Sequence, residues 1–126
     1  MKQGLLLCAH GARDPRWSEP FEQVAARIRR AAPALAVELA YLEFMAPTLF
    51  EAGARLMAAR CAAVDVVPLF LGSGGHVRKD LPALIDALGA AQPHVRWRLR
   101  EAIGEVDAVI EAMAQAALHM AAESPQ

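Results

Sequence analysis

Leu5-Leu6-Leu7-Cys8-Ala9-His10-Gly11-Ala12-Arg13-Asp14-Pro15 is the stretch that decides the fold. Its apolar run, taken from Gly4 to Ala9, is short and unbroken, which fits a strand buried on both faces. His10-Gly11 ends the run, and Asp14-Pro15 opens a helix, because proline is already set to the φ that a first turn needs. That helix carries Trp17, Phe21, Val24, Ala25 and Ile28 on one face and closes before Pro33. A strand that delivers its chain into a helix is half of a βαβ unit, and the alternation continues along the sequence.

The second strand is expected at Ala36 to Leu42, ending in Glu43. Pro47 starts a second helix whose inner face holds Leu49, Gly53, Leu56 and Met57, with Glu51, Arg55 and Arg60 turned to water. Ala63 to Leu69 is the third strand. Phe70-Leu71-Gly72-Ser73-Gly74-Gly75-His76 is then a glycine-rich loop. Leu81, Leu84, Ile85 and Leu88 mark the third helix, and Val95, Trp97 and Leu99 the inward face of a fourth strand. Val106, Val109, Ile110, Met113 and Ala117 mark the last helix. Right-handed crossovers turn these four units into an α/β, doubly wound parallel sheet of order 2-1-3-4 with helices on both faces.

Composition narrows the class. The 126 residues are 56% hydrophobic, enough to build one core without disulfides, and a single domain is expected over residues 1–120 with a disordered tail at 121–126. No uncharged stretch approaches the roughly 20 residues of a membrane span. The N-terminal apolar run is too short for a signal peptide, and His10 and Arg13 follow it, so the expected compartment is the cytoplasm. Thirteen basic against fourteen acidic residues give a net charge of −1, which excludes a general attraction for nucleic acid or an anionic membrane. Cys8 and Cys61 stand far apart without metal-ligand spacing and are expected to be buried hydrophobes. Arg96, Arg98 and Arg100 alternate with apolar residues, which fits the charged outer face of an edge strand better than a nucleic-acid stripe.

In a 2-1-3-4 sheet the carboxyl ends of strands one and three lie side by side at the topological switch point, where open α/β sheets bind ligands. His10 and His76 follow those two strands, and Glu43 ends the strand beside the first; the three are spaced 33 residues apart in each interval. Two imidazoles and a carboxylate suit first-row divalent ions and leave the coordination sphere open on one side. The same groups accept protons near neutral pH. The milder readings are a histidine exposed at a strand end for His10 and a glutamate favouring a helix dipole for Glu43. His94 and His119 are expected to be solvent-exposed bystanders. Gly72-Ser73-Gly74-Gly75 invites a phosphate reading, but it matches neither GxGxxG nor GxxxxGK[ST].

Leu5 to Pro15, taken with Pro68-Leu69-Phe70-Leu71-Gly72-Ser73-Gly74-Gly75-His76-Val77-Arg78-Lys79-Asp80-Leu81-Pro82, resembles the sirohydrochlorin chelatases of the CbiX and SirB type over nearly the whole chain. The resemblance implies insertion of a divalent metal into sirohydrochlorin on the way to cobalamin or sirohaem, with Co²⁺ foremost and Fe²⁺ or Ni²⁺ as other substrates. It implies that His10, Glu43 and His76 hold the metal and assist deprotonation. The substrate carries eight carboxylates, so Arg13, Arg16, Arg78 and Lys79 are expected clamps, with Gly74 and Gly75 lining the approach. Ala12 departs from the serine that many relatives have. No organic cofactor is implied, and the short members pair, so a homodimer is expected. Two rivals make other predictions: a non-catalytic metal or tetrapyrrole carrier binds without turnover, and a flavodoxin-like or nucleotide-binding domain is stabilised by FMN or nucleotide but not by metal.

Overall fold

The structure, a computed structural model, describes residues 2–72 and 74–123, without the side chains of residues 76–78. Four parallel strands form one sheet: β1 (Lys2–Ala9), β2 (Ala36–Tyr41), β3 (Cys61–Pro68) and β4 (Arg96–Leu99), in the order β2-β1-β3-β4. The register pairs Leu7 with Leu39 on one side and with Val67 on the other. The helices are α1 (Glu19–Ala31), α2 (Leu49–Ala58), α3 (Gly75–Ala91) and α4 (Asp107–Ala122). The expected architecture and strand order are therefore the observed ones.

The sheet divides the core in two because successive side chains alternate faces. Leu6, Cys8, Val64 and Val66 meet Leu49, Ala52 and Leu56 of α2 and Leu81, Ile85 and Leu88 of α3. On the other face Leu7, Ala9, Val37, Leu39 and Tyr41 pack with Ala25, Phe21 and Ile28 of α1 and with Trp17. Leu6, Leu7, Leu56 and Leu88 are almost wholly buried, each contributing about 1.5–3 kcal/mol by removal from water. Both cysteines are buried and unpaired, and burial pushes the Cys8 thiol up to about 12.

Several local expectations are corrected. The first helix is broken: a 3-10 turn at Pro15–Ser18, capped by Asp14 accepting from the Arg16 N–H, precedes α1. Val24 is 39% exposed rather than inward, since the helix buries the stripe through Phe21, Ala25 and Ile28. Pro47 does not start α2. Thr48 caps it, in a capping box where Thr48 Oγ1 accepts from the Glu51 N–H and Glu51 accepts from the Thr48 N–H. Strand β3 begins at Cys61, two residues early, and β2 ends at Tyr41, so Glu43 lies in the turn beyond it.

The last helix departs most. None of its residues is buried, and Ile110 and Met113, two of the apolar residues that mark it, are 48% and 41% exposed. Its principal contacts are with the 3-10 turn at Ile103–Glu105 that precedes it, rather than with the sheet. The helix also runs through Ala122, two residues into the expected tail; residues 124–126 lie outside the described residues. Strand β4 is an edge, as its alternating arginines suggested. There Arg98 grips Asp65 through two hydrogen bonds, of 2.6 and 3.2 Å, and these hold the Asp65 carboxyl below its ordinary range.

Candidate functional site

At the carboxyl end of the sheet the exits from β1, β2 and β3 are bonded to one another beyond the strands themselves. The Leu69 N–H donates to the Cys8 carbonyl at 2.7 Å, the Leu42 N–H to Ala9 at 3.0 Å and the Glu43 N–H to His10 at 3.0 Å. This is the switch-point crevice of an open α/β sheet, and it holds two of the three expected ligands on adjoining backbone.

The His10 side chain is exposed and stacks on Phe70, with ring centroids 4.1 Å apart and an interplanar angle of 24°. Phe70 is 3% exposed and fixed in the core, so it holds the imidazole from the β3 side. An aromatic contact of this kind is worth about 0.5–1.5 kcal/mol beyond area burial. Position 70, read from sequence only as the start of a loop, thus supports the histidine. The cue was an aromatic residue at the end of a buried strand.

Gly11 makes the His10–Glu43 junction possible. Its φ is +94°, and a Cβ there would fall on the Glu43 carbonyl oxygen. Across the junction Glu43 is exposed in a tight turn closed by the Met45 N–H on the Glu43 carbonyl at 2.8 Å. Phe44, at the centre of that turn, has φ +67° and is 58% exposed. For a bulky residue this backbone costs on the order of 1–2 kcal/mol, and such strain clusters at functional sites. The Arg13 guanidinium carbon lies 4.7 Å from the centre of the Phe44 ring.

The expected clamps behave differently. Arg13 makes no hydrogen bond or ion pair with another described residue; its contact is the Phe44 ring. Arg16 is engaged by Asp14 at 3.1 Å, and its side chain first, then its backbone N–H, holds the Asp14 carboxyl below the ordinary value. Beside it a depression of about 500 Å³ is lined by Pro15, Arg16, Ser18, Tyr41 and Met45, on the α1 side of the same sheet end.

The glycine loop is shorter than expected. Gly74 is the N-cap of α3 and Gly75 its first residue, so the His76 backbone lies in the first helical turn and not in a loop. Gly72, Gly74 and Gly75 are exposed, and among the described residues nothing lies within 4 Å of where a Cβ would stand. Lys79 is exposed on the next turn. Ser73 and the side chains of His76 and Arg78 lie outside the described residues. Among the described residues no three His, Cys, Asp or Glu side chains gather into a metal-holding group.

Comparison with known proteins gives concordant results. The CbiX family model matches residues 4–119. A sirohydrochlorin cobaltochelatase of Saccharolobus solfataricus is 37% identical over 98 residues, covering 78% of this chain and 74% of the relative. One from Methanococcoides burtonii is 32% identical over 67% of this chain and 64% of its own length. Among solved structures, a cobalamin-biosynthesis CbiX protein from Marinobacter aquaeolei superposes with a TM-score of 0.85 at 34% identity, covering 97% of this chain and 99% of the other. The sirohydrochlorin chelatase SirB of Bacillus subtilis, solved with cobalt, gives a TM-score of 0.82 at 24% identity; this chain spans 94% of itself and 51% of SirB. At that identity the SirB match speaks for the fold.

Proposed function

The chain belongs to the CbiX family, and we propose that it inserts a divalent metal ion into sirohydrochlorin, with Co²⁺ the foremost substrate and Fe²⁺ and Ni²⁺ alternatives, on the route to cobalamin or sirohaem. The observation that carries this reading is the exposed His10 ring at the carboxyl end of the central strand, seated on Phe70 and bonded through its backbone to Glu43. The names of the relatives support the substrate pair.

Insertion releases two pyrrole N–H protons as the metal enters. In this reading His10, Glu43 and His76 present the metal from one side and take up those protons. Imidazole and carboxylate suit both tasks, because each binds first-row divalent ions and accepts protons near neutral pH. Arg13, Arg16, Arg78 and Lys79 meet the carboxylates of the macrocycle, and the small side-chain volume at Gly74 and Gly75 admits its edge. Organic cofactors have no part in the scheme. Two free thiols suit the reducing cytoplasm. Two copies pair through α4, whose apolar perimeter is otherwise uncovered.

The test is anaerobic absorbance of sirohydrochlorin with Co²⁺, following repeated turnover by the wild type, His10→Ala and His76→Ala. Losing a base and ligand is expected to slow insertion at least about 100-fold. Equal rates in all three proteins overturn the assignment, and a wild type that binds both substrates without turnover is a carrier.

A further inference from the structure

We propose that Arg13 and Phe44 form one carboxylate-gripping element, in which the exposed Phe44 ring positions the Arg13 guanidinium for an acidic side chain on the rim of the macrocycle. The inference rests on the reading of the site as a sirohydrochlorin chelatase and deepens it.

Three observations converge on the pair. Arg13 has its guanidinium carbon 4.7 Å from the Phe44 ring centre and makes no other polar contact with a described residue. A guanidinium held over a ring, with no polar partner, keeps its N–H donors free for a bidentate carboxylate. Arg16, three residues along, already commits its Nε and Nη2 donors to Asp14, which leaves it only partly available to a carboxylate. Of the two arginines after His10, only Arg13 is thus both oriented and unspent.

Phe44 is in turn poorly explained as a structural residue. It is 58% exposed, so its ring adds little to the core, and it takes φ +67°, which glycine would adopt without strain. A large aromatic side chain at such a position has a steric cost and no burial to offset it. The position is also placed for use. Phe44 follows Glu43 directly and Arg13 lies three residues after His10, so the pair is a second bridge between the segments that the His10–Glu43 bond joins. Phe44 is on this account a positioning residue and Arg13 the group that touches substrate.

The experiment titrates metal-free sirohydrochlorin into the wild type, Phe44→Gly, Phe44→Trp, Arg13→Ala and Arg13→Lys, with Co²⁺ affinity and Tm measured in parallel. Phe44→Gly and Arg13→Ala are expected to weaken macrocycle binding at least about tenfold, appearing in turnover as raised KM with kcat largely kept. Co²⁺ affinity should stay within about twofold, and the Tm of Phe44→Gly should equal or exceed that of the wild type, since glycine relieves the strain. Phe44→Trp should restore binding, and Arg13→Lys, lacking the planar fork, should not. Wild-type macrocycle affinity in Phe44→Gly overturns the inference while leaving the chelatase reading intact. A fall in its Tm together with its Co²⁺ affinity also overturns it, by making the ring structural. A wild type that does not bind sirohydrochlorin overturns the reading and the inference together.

Discussion

Gly11 carries the sharpest demand of any single residue, because two independent constraints meet there. Its φ of +94° disfavours every L side chain, and the space for a Cβ belongs to the Glu43 carbonyl. Gly11→Ala is therefore expected to lower stability by roughly 2 kcal/mol, read as a drop in the urea midpoint, and to cut insertion by separating His10 from Glu43. A variant with the wild-type midpoint removes the case for this junction. Cys8 makes the opposite point: with its thiol pushed up to about 12 by burial, it should resist alkylation at pH 8 in the folded protein and react on unfolding. Labelling of Cys8 at the rate of a free thiol would contradict the packing of β1. The meeting of His10 and Glu43 was legible at this scale, since a histidine and a glutamate at the ends of neighbouring strands follow from strand order. Phe44 and Phe70 were not legible, because their roles depend on a positive φ and on a stacking contact between segments 60 positions apart, and neither leaves a periodic trace in sequence.

Among the elements, α2 shows how a local signal can lie in plain view and be misread. Pro47 looked like the first helical residue, yet Thr48 and Glu51 form the reciprocal cap that sets the start two positions later, at Leu49. Thr48→Ala is expected to cost about 1 kcal/mol at neutral pH. The Glu51 carboxyl is held below its ordinary value of 4.5, chiefly by the Thr48 backbone N–H and then by the Thr48 side chain. A carboxyl whose pKa is lower in the folded state stabilises the fold above the unfolded value, and that contribution fades as pH falls toward the folded one. The Tm gap between wild type and Glu51→Ala should then be widest above about pH 5 and narrow as the pH falls below the ordinary carboxyl range; a gap independent of pH rules out the box as its cause. The strands were legible because buried parallel strands read as unbroken apolar runs. Helix α1 was legible in its inner stripe but not in its break, since Asp14, Pro15 and Ser18 suit a 3-10 turn as well as an α-helical start. Apolar spacing placed α4 along the chain but not in the packing, because an apolar stripe states that a helix is covered without saying by what.

That question belongs to the whole molecule. Within α4 the polar residues Asp107, Glu111, Gln115 and His119 recur every fourth position, forming one slowly drifting stripe, and every other residue from Asp107 to Ala122 is apolar. A helix apolar around most of its perimeter is normally an interior helix, yet Leu118 and Met120 are 64% and 72% exposed. A lipid surface is a poor occupant, because interfacial helices carry Lys or Arg on the polar face and α4 has only acids and a histidine there. No described helix is long and apolar enough to cross a membrane. A second copy fits better. Antiparallel pairing about a two-fold axis sets His119 of one copy near Asp107 and Glu111 of the other and buries the apolar flanks. Half the perimeter of a helix about 24 Å long supplies on the order of 450 Å² per copy, near the lower bound of a stable interface. The pair should therefore dissociate on dilution, with a Tm that rises with protein concentration. Light scattering is expected to give twice 13.5 kDa for the wild type and the monomer mass for Met113→Glu combined with Leu118→Glu. If those two charges leave the mass and the concentration dependence unchanged, the contact lies elsewhere; a wild type that is monomeric at every concentration leaves α4 to a different partner.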